Sequence, residues 1–290
     1  MLLRMVVTIA LCSSCYTPRY MYSPSALNVP ILVKQGDSKL AANYSTAITG
    51  SSTLGTSSDY QRKQSNGFDL QGAVAVTNHF ALMANYYQRS ERNRGTENAA
   101  DVSVIKYKRR LTEVGLGYFT PLHQSEKVMF QVFAGMGKGR FSFIDDGIDL
   151  NSNSVQRQHA ASVIKVFLQP GFQFRIKENF ALAVASRLSI INYKDINTNY
   201  STPQLETYLL NDIDQGAFVF WEPSFTNTIG FNGLPGVKLE YQLGASIKVT
   251  ERALDYRTLN FSLGVQFDVR RLFSQPPSGL PLSALLYHQR

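Results

Sequence analysis

The residues able to do acid–base or electrostatic work fall on one parity of alternating stretches. Asp69, Glu113, Glu222, Glu240 and Asp268 share that face with Arg89, Arg109, Arg175, Arg187, Lys165, Lys238 and Lys248. Carboxylates and cations on a common face have two uses. Buried, they must pair mutually, because an isolated charge in a low-dielectric interior is costly. Hydrated, they line a narrow pore. Both readings stand at this stage, with Glu113, Glu222, Glu240, Asp268, Arg109, Arg175 and Arg187 as the interior set.

Other chemistry is sparse. The four histidines are His79, His123, His159 and His288, and none has metal-ligand spacing to another, so no metal site is expected. His159 lies near Asp145, Asp146, Asp149 and Ser162, and Asp212 and Asp214 follow in the next polar stretch. A hydrolase of the barrel-protease or lipid-A-modifying type would place such groups at its rim, which makes rim hydrolysis an alternative. Gly135, Gly137 and Gly139 alternate with no GK[ST] and no strand-then-helix context, so they signal close strand packing with Gly115 and Gly117, and no nucleotide cofactor is expected. Both cysteines, Cys12 and Cys15, precede the body of the chain, which excludes a disulfide framework or thiol nucleophile within it. The formal charge is +8, but the one basic run, Lys106-Tyr107-Lys108-Arg109-Arg110, leads into a strand. That placement suits anionic lipid headgroups and argues against nucleic acid.

What positions these residues is period-2 alternation. In 290 residues, 17% are charged, 12% aromatic and 44% hydrophobic, with a mean hydropathy of −0.15. That balance fits neither disorder nor a bundle of apolar helices. Val237–Val249, Phe261–Val269 and Ile164–Ile176 alternate strictly, and weaker versions occur at 38–49, 67–77, 79–90, 104–119, 127–143, 179–195 and 217–230. The strands match the ~9–11 residues of a tilted membrane crossing. Short connections at 77–79, 121–127, 177–179 and 231–236 alternate with polar ones at 50–66, 91–103, 144–159, 196–216 and 250–256. The expectation is an all-β fold: an antiparallel transmembrane β-barrel of about ten strands (8–12), residues 37–273. Tyr86, Tyr87, Tyr107, Tyr118, Phe119, Phe141, Phe143, Tyr193 and Trp221 are expected to form its interfacial girdles. A soluble lipocalin-like barrel would carry its apolar faces inward instead.

Residues 1–14 read as a signal peptide: Arg4 precedes an apolar run too short to cross a membrane. Cys12-Ser13-Ser14-Cys15 resembles the bacterial lipobox, which implies lipidation of Cys15. Residues 15–36 carry three prolines and no periodicity and are expected to be an extended tether, and 274–290 form a tail outside the strand pattern. Ser262-Leu263-Gly264-Val265-Gln266-Phe267-Asp268-Val269 resembles the assembly signal in the last strand of outer-membrane barrels, with Ser262, Gly264, Phe267 and Val269 at its defining positions. Cys15-Tyr16-Thr17-Pro18 followed by Asn28-Val29-Pro30 resembles Bacteroidota-type outer-membrane barrel lipoproteins of unknown function, within the OmpA/OmpW-like barrel superfamily. This resemblance implies a bacterial outer-membrane location, with lipid and the barrel-assembly machinery as partners, and no catalytic residue. With an even strand number, both termini are expected on the periplasmic, short-turn side. The expected function is structural, adhesive or ligand-recognising through long extracellular loops, the ligand being undefined. A narrow-pore transporter is the first alternative.

Overall fold

Alternation closes into a ring in the computed structural model, which describes residues 18–48, 65–94, 104–148, 153–177 and 179–270. The elements are β1 (Ser38–Ala47), β2 (Ser65–Ala75), β3 (Phe80–Arg94), β4 (Val104–Pro121), β5 (Val128–Ile148), β6 (Ser154–Lys177), β7 (Phe180–Thr198), α1 (Thr202–Thr207), β8 (Phe218–Phe231), β9 (Leu234–Ala245), β10 (Ile247–Lys248) and β11 (Leu259–Phe267). From β1 to β9 each strand pairs antiparallel with the next, while β11 pairs with both β1 and β9 and so completes a ten-stranded barrel. The two-residue β10 is an extra pairing on β8. The expected strand 237–249 is interrupted at Ser246: β9 stops at Ala245, and Ile247–Lys248 continues in the same register on β8.

The side-chain parity is that of a membrane barrel. Phe68 is 59% exposed and Leu116 68%, and Leu40, Leu82, Val114, Met136, Leu168, Leu243 and Leu263 also face outward. Between them, Lys39, Asp69, Glu113, Lys165, Arg187, Glu222 and Glu240 are buried in the lumen. An apolar exterior around a polar interior is stable against lipid and inverts the soluble-barrel alternative. Small extensions also differ from expectation. β5 runs to Ile148 and β6 begins at Ser154, so most of the expected loop 144–159 is strand standing beyond the apolar band.

Parity also corrects the aromatic girdle. Tyr86, Tyr118 and Trp221 face outward, but Tyr87, Tyr107, Phe119, Phe141, Phe143 and Tyr193 are buried inside. In a strand, neighbours such as Tyr86 and Tyr87 must point to opposite faces. Tyr87, Tyr107, Phe141, Phe143 and Tyr193 fill much of the lumen's long-loop half, packed around Tyr20 and Tyr22, while Phe119 packs with Leu32 and Phe133 toward the short-turn end.

The largest departure concerns the expected tether. From Pro18 to Leu32 the chain lies almost wholly buried inside the barrel. It begins among residues of the long-loop end: Arg19 pairs with Asp145 at 2.6 Å and bonds Tyr200. It leaves at the short-turn end, where the Gly36 N–H donates to Ala75 and the Gln35 N–H to Asn78. β1 then climbs back in the wall. The C-terminal end of β11 lies at the short-turn side, as expected for an even strand count, but Pro18 lies at the opposite end. The expectation of two termini on the short-turn side thus fails for the start of the described chain, because the segment before β1 threads the lumen.

A lumen that holds an extended peptide

The segment Pro18–Leu32 carries Pro18, Pro24 and Pro30, each without a backbone N–H, so it cannot form a regular ladder. Buried carbonyls still need donors, and the barrel wall supplies them one by one. The Tyr107 hydroxyl donates to the Pro18 carbonyl at 3.2 Å, Arg109 to that of Tyr20, and the Tyr87 hydroxyl to that of Ser23 at 2.8 Å. Further down, Gln71 donates to the Ala26 carbonyl, Gln242 to that of Leu27, Gln169 to that of Asn28 and Gln173 to that of Pro30. Wall acceptors meet the amides: the Leu27 N–H donates to Gln242 at 2.6 Å and the Ala26 N–H to Asp69 at 3.3 Å. One bridge joins Tyr22 to Tyr256 in parallel. Most of these contacts read backbone, so the strap is held by lumen glutamines with no role assigned from sequence and by Tyr87 and Tyr107, expected in the girdle. Their inward parity was the available signal.

The charged groups resolve into pairs. Glu113 meets Arg187 at 3.0 Å and Lys165 at 3.2 Å, and Lys165 reaches Glu222 at 3.4 Å. Tyr22 of the strap donates its hydroxyl to Glu222 and so joins that cluster. Glu240 pairs with Lys39 at 2.6 Å, and Asp69 with Arg89 at 2.7 Å. At the long-loop end Glu91 takes both Arg109, at 3.0 Å, and Arg257. Sequence parity places both partners of Asp69–Arg89, Glu113–Arg187 and Lys165–Glu222 on the inward face, but for Glu240 and Arg109 it gives one side only, and it does not bring Lys39, Glu91, Arg257, Arg19 or Asp145 into the lumen. Two members of the interior set do not belong. Arg175 sits half-exposed at the short-turn rim beside Glu126, at 3.6 Å, and Asp268 follows β11 at that same rim. Both have inward parity but lie beyond the end of the enclosed lumen.

His159 is fully buried, stacked on Phe143 with ring centroids 5.5 Å apart, and neither ring nitrogen has a partner. It lies above the outward apolar residues of β6, which begin at Ile164. Desolvation pushes its pKa down to about 4, so the ring is neutral at ordinary pH. Ser162 faces the other side of the strand, Asp145 is engaged by Arg19, and Asp146 by Lys106. Among the described residues, the His159, Asp145 and Ser162 named for the rim-hydrolase alternative do not meet. Asp212 and Asp214 stand in the 208–217 segment, where the Asp212 carbonyl accepts from Arg252. Cys15, Asp149 and His288 lie outside the described residues.

The assembly-signal positions occupy the closing strand. Ser262 and Gly264 face the lumen, and their residue partners on β1 are Ser45 and Asn43. Phe267 ends the strand and Val269 lies just beyond it.

No family model matches the chain, and no curated protein matches it. Among solved structures, it is similar to the outer-membrane protease OmpT from Escherichia coli, at 8% identity over 83% of this chain and 99% of that one, with a TM-score of 0.42. It is also similar to an outer-membrane channel from Pseudomonas putida F1, at 12% identity, 84% and 98% coverage and a TM-score of 0.38. A third likeness is to the attachment invasion locus protein Ail of Yersinia pestis, at 12% identity, 80% and 98% coverage and a TM-score of 0.31.

Proposed function

We propose that the protein is an integral outer-membrane barrel, stoppered by its own N-terminal strap, that serves a structural, adhesive or ligand-recognising role through its long-loop end. The observation that carries this reading is the burial of Pro18–Leu32 along the lumen. A pore needs a continuous water path, whereas here the axis is filled by a peptide whose backbone groups are bonded to the wall. A rim hydrolase needs a base in contact with a nucleophile, whereas His159 has an unpartnered ring against Phe143. Tyr200, Leu210 and Ile213 of the 199–217 segment pack onto the aromatic cluster of β5, β6 and β7, and a loop seated on such a scaffold is where recognition residues concentrate.

Planar-bilayer recording tests this reading. The intact protein is expected to give no conductance steps, and a variant lacking residues 18–33 is expected to give them. Steps from the intact protein would overturn the stoppered reading, and that arm decides even if the deletion does not fold.

A further inference from the structure

Above the apolar band, the outer face of β3, β4 and β5 carries Arg92, Lys106, Lys108, Arg110, Lys138 and Arg140, all exposed. The ladder sets Arg110 directly opposite Arg140, and Arg92 directly opposite Lys106. Like charges opposed across a ladder destabilise it. On these three strands, among the described residues, the one outward carboxylate is Asp146, which binds Lys106 at 2.7 Å. Lys108, Arg110, Lys138 and Arg140 have no ion pair among the described residues. Among the described residues, these four cations form an uncompensated positive face.

Directly below them the same strands form an apolar groove of about 1460 Å³, whose lining includes Ala84, Val114, Leu116, Ala134, Met136 and Val166. Its floor lies where Gly115 stands opposite Gly135, two residues without side chains that let β4 and β5 approach closely. Val114 is four residues below Arg110, about 13 Å along the strand, and Met136 is two below Lys138, about 7 Å. The groove extends from Leu40 of β1 and Val74 of β2 across β3–β5 to Val166 of β6, with Val269 and Arg270 at its short-turn margin, broad enough for several acyl chains side by side.

We infer that this face binds a phosphorylated, multiply acylated glycolipid of the surrounding membrane, with phosphates held between Arg110, Arg140, Lys108 and Lys138 and acyl chains in the groove. The cations supply anion recognition at the height of the headgroups, and guanidinium groups meet phosphate oxygens bidentately. The groove supplies apolar contact at the height of the chains. The site lies on the outside of the barrel and does not depend on the strap.

The test uses the full-length protein in zwitterionic detergent, titrated with bisphosphorylated lipid A, its dephosphorylated form, and an acyl-free glucosamine disaccharide bisphosphate. Removing either the phosphates or the chains is expected to weaken binding at least tenfold. The triple variant Arg110→Gln, Lys138→Gln, Arg140→Gln is expected to lose at least tenfold in affinity for lipid A while keeping its heat-modifiable gel shift. Lys194→Gln, outward on β7, is expected to leave binding unchanged. Equal binding of dephosphorylated and phosphorylated lipid A overturns the site, as does a folded triple variant that binds like the wild type. Acyl-free disaccharide binding as tightly as lipid A would instead mark a soluble-anion site and overturn the lipid assignment. If the triple variant does not fold, the ligand comparisons on the wild-type protein still decide.

Discussion

His159 is a histidine that its strand has turned into an aromatic filler. Its parity points it inward, where Phe143 stacks on it and no acid or hydroxyl reaches either nitrogen. Burial has lowered its pKa from 6.5 to about 4, and the sign of the consequence is fixed. The unfolded chain binds a proton below pH 6.5 that the folded protein refuses until about pH 4, so stability falls across that window as pH drops. The full effect is on the order of 3 kcal/mol. Urea midpoints measured in detergent between pH 7 and 4 should show this slope, and His159→Phe should remove it. A slope of equal size in the variant would refute the assignment. Glu91, also above the apolar band, adds a later acid loss. Burial would raise its pKa, but Arg109 and Arg257 outweigh that and hold the carboxyl below its usual range. Its contribution is present above the ordinary glutamate pKa and is lost as pH falls through the depressed value. Deeper in the lumen, Glu113 stands between Arg187 and Lys165. Replacing it with Ala leaves the buried Arg187 without a carboxylate and Lys165 with Glu222 alone, and a loss of about 3–5 kcal/mol is expected in the same urea measurement. A loss under 1 kcal/mol would mean that water reaches the pair.

Among the elements, β11 has the tightest task, since it closes the ring against β1. A Cβ at Gly264 would overlap the Ala42 carbonyl and the Asn43 side chain, so the residue that resembles part of an assembly signal also has a steric reason to be glycine. Gly264→Leu should hold the seam apart and abolish the folded, faster-migrating band on an unheated gel, while Val265→Ala, on the outer face, should retain it. A normal gel shift for Gly264→Leu would show that the seam can give. The strands were readable from sequence because their determinant is local: a side-chain period of two residues and turn residues between runs. Parity assigned Glu113, Arg187, Glu222 and Glu240 to the lumen for the same reason. The strap was not readable. Its three prolines and missing period describe a segment without a ladder, and its bonds go to residues far along the chain, such as Gln71, Gln169 and Gln242. No local pattern encodes partners that only barrel closure brings together. The inward aromatics carry the same local signal, since Tyr107 and Phe141 alternate on the inward register as plainly as Arg109 does.

For the molecule as a whole, the strap couples fold to orientation. A peptide that enters beside Asp145 and Tyr200 and leaves beside Asn78 runs through the barrel from the long-loop end to the short-turn end. Pro18, where the described chain begins, therefore lies near the long-loop end. The cation belt of β3–β5 lies toward that same end, above the apolar band, so the headgroup region it faces belongs to the same side. If the long-loop end is the cell exterior, an epitope tag inserted between Asn211 and Asp212 should be detected by antibody on intact cells. A tag inserted between His123 and Gln124, in a short turn, should be detected only after permeabilisation. The reverse pattern would put the strap's entrance, the belt and the recognition platform on the periplasmic side, and with them the surface through which the protein acts.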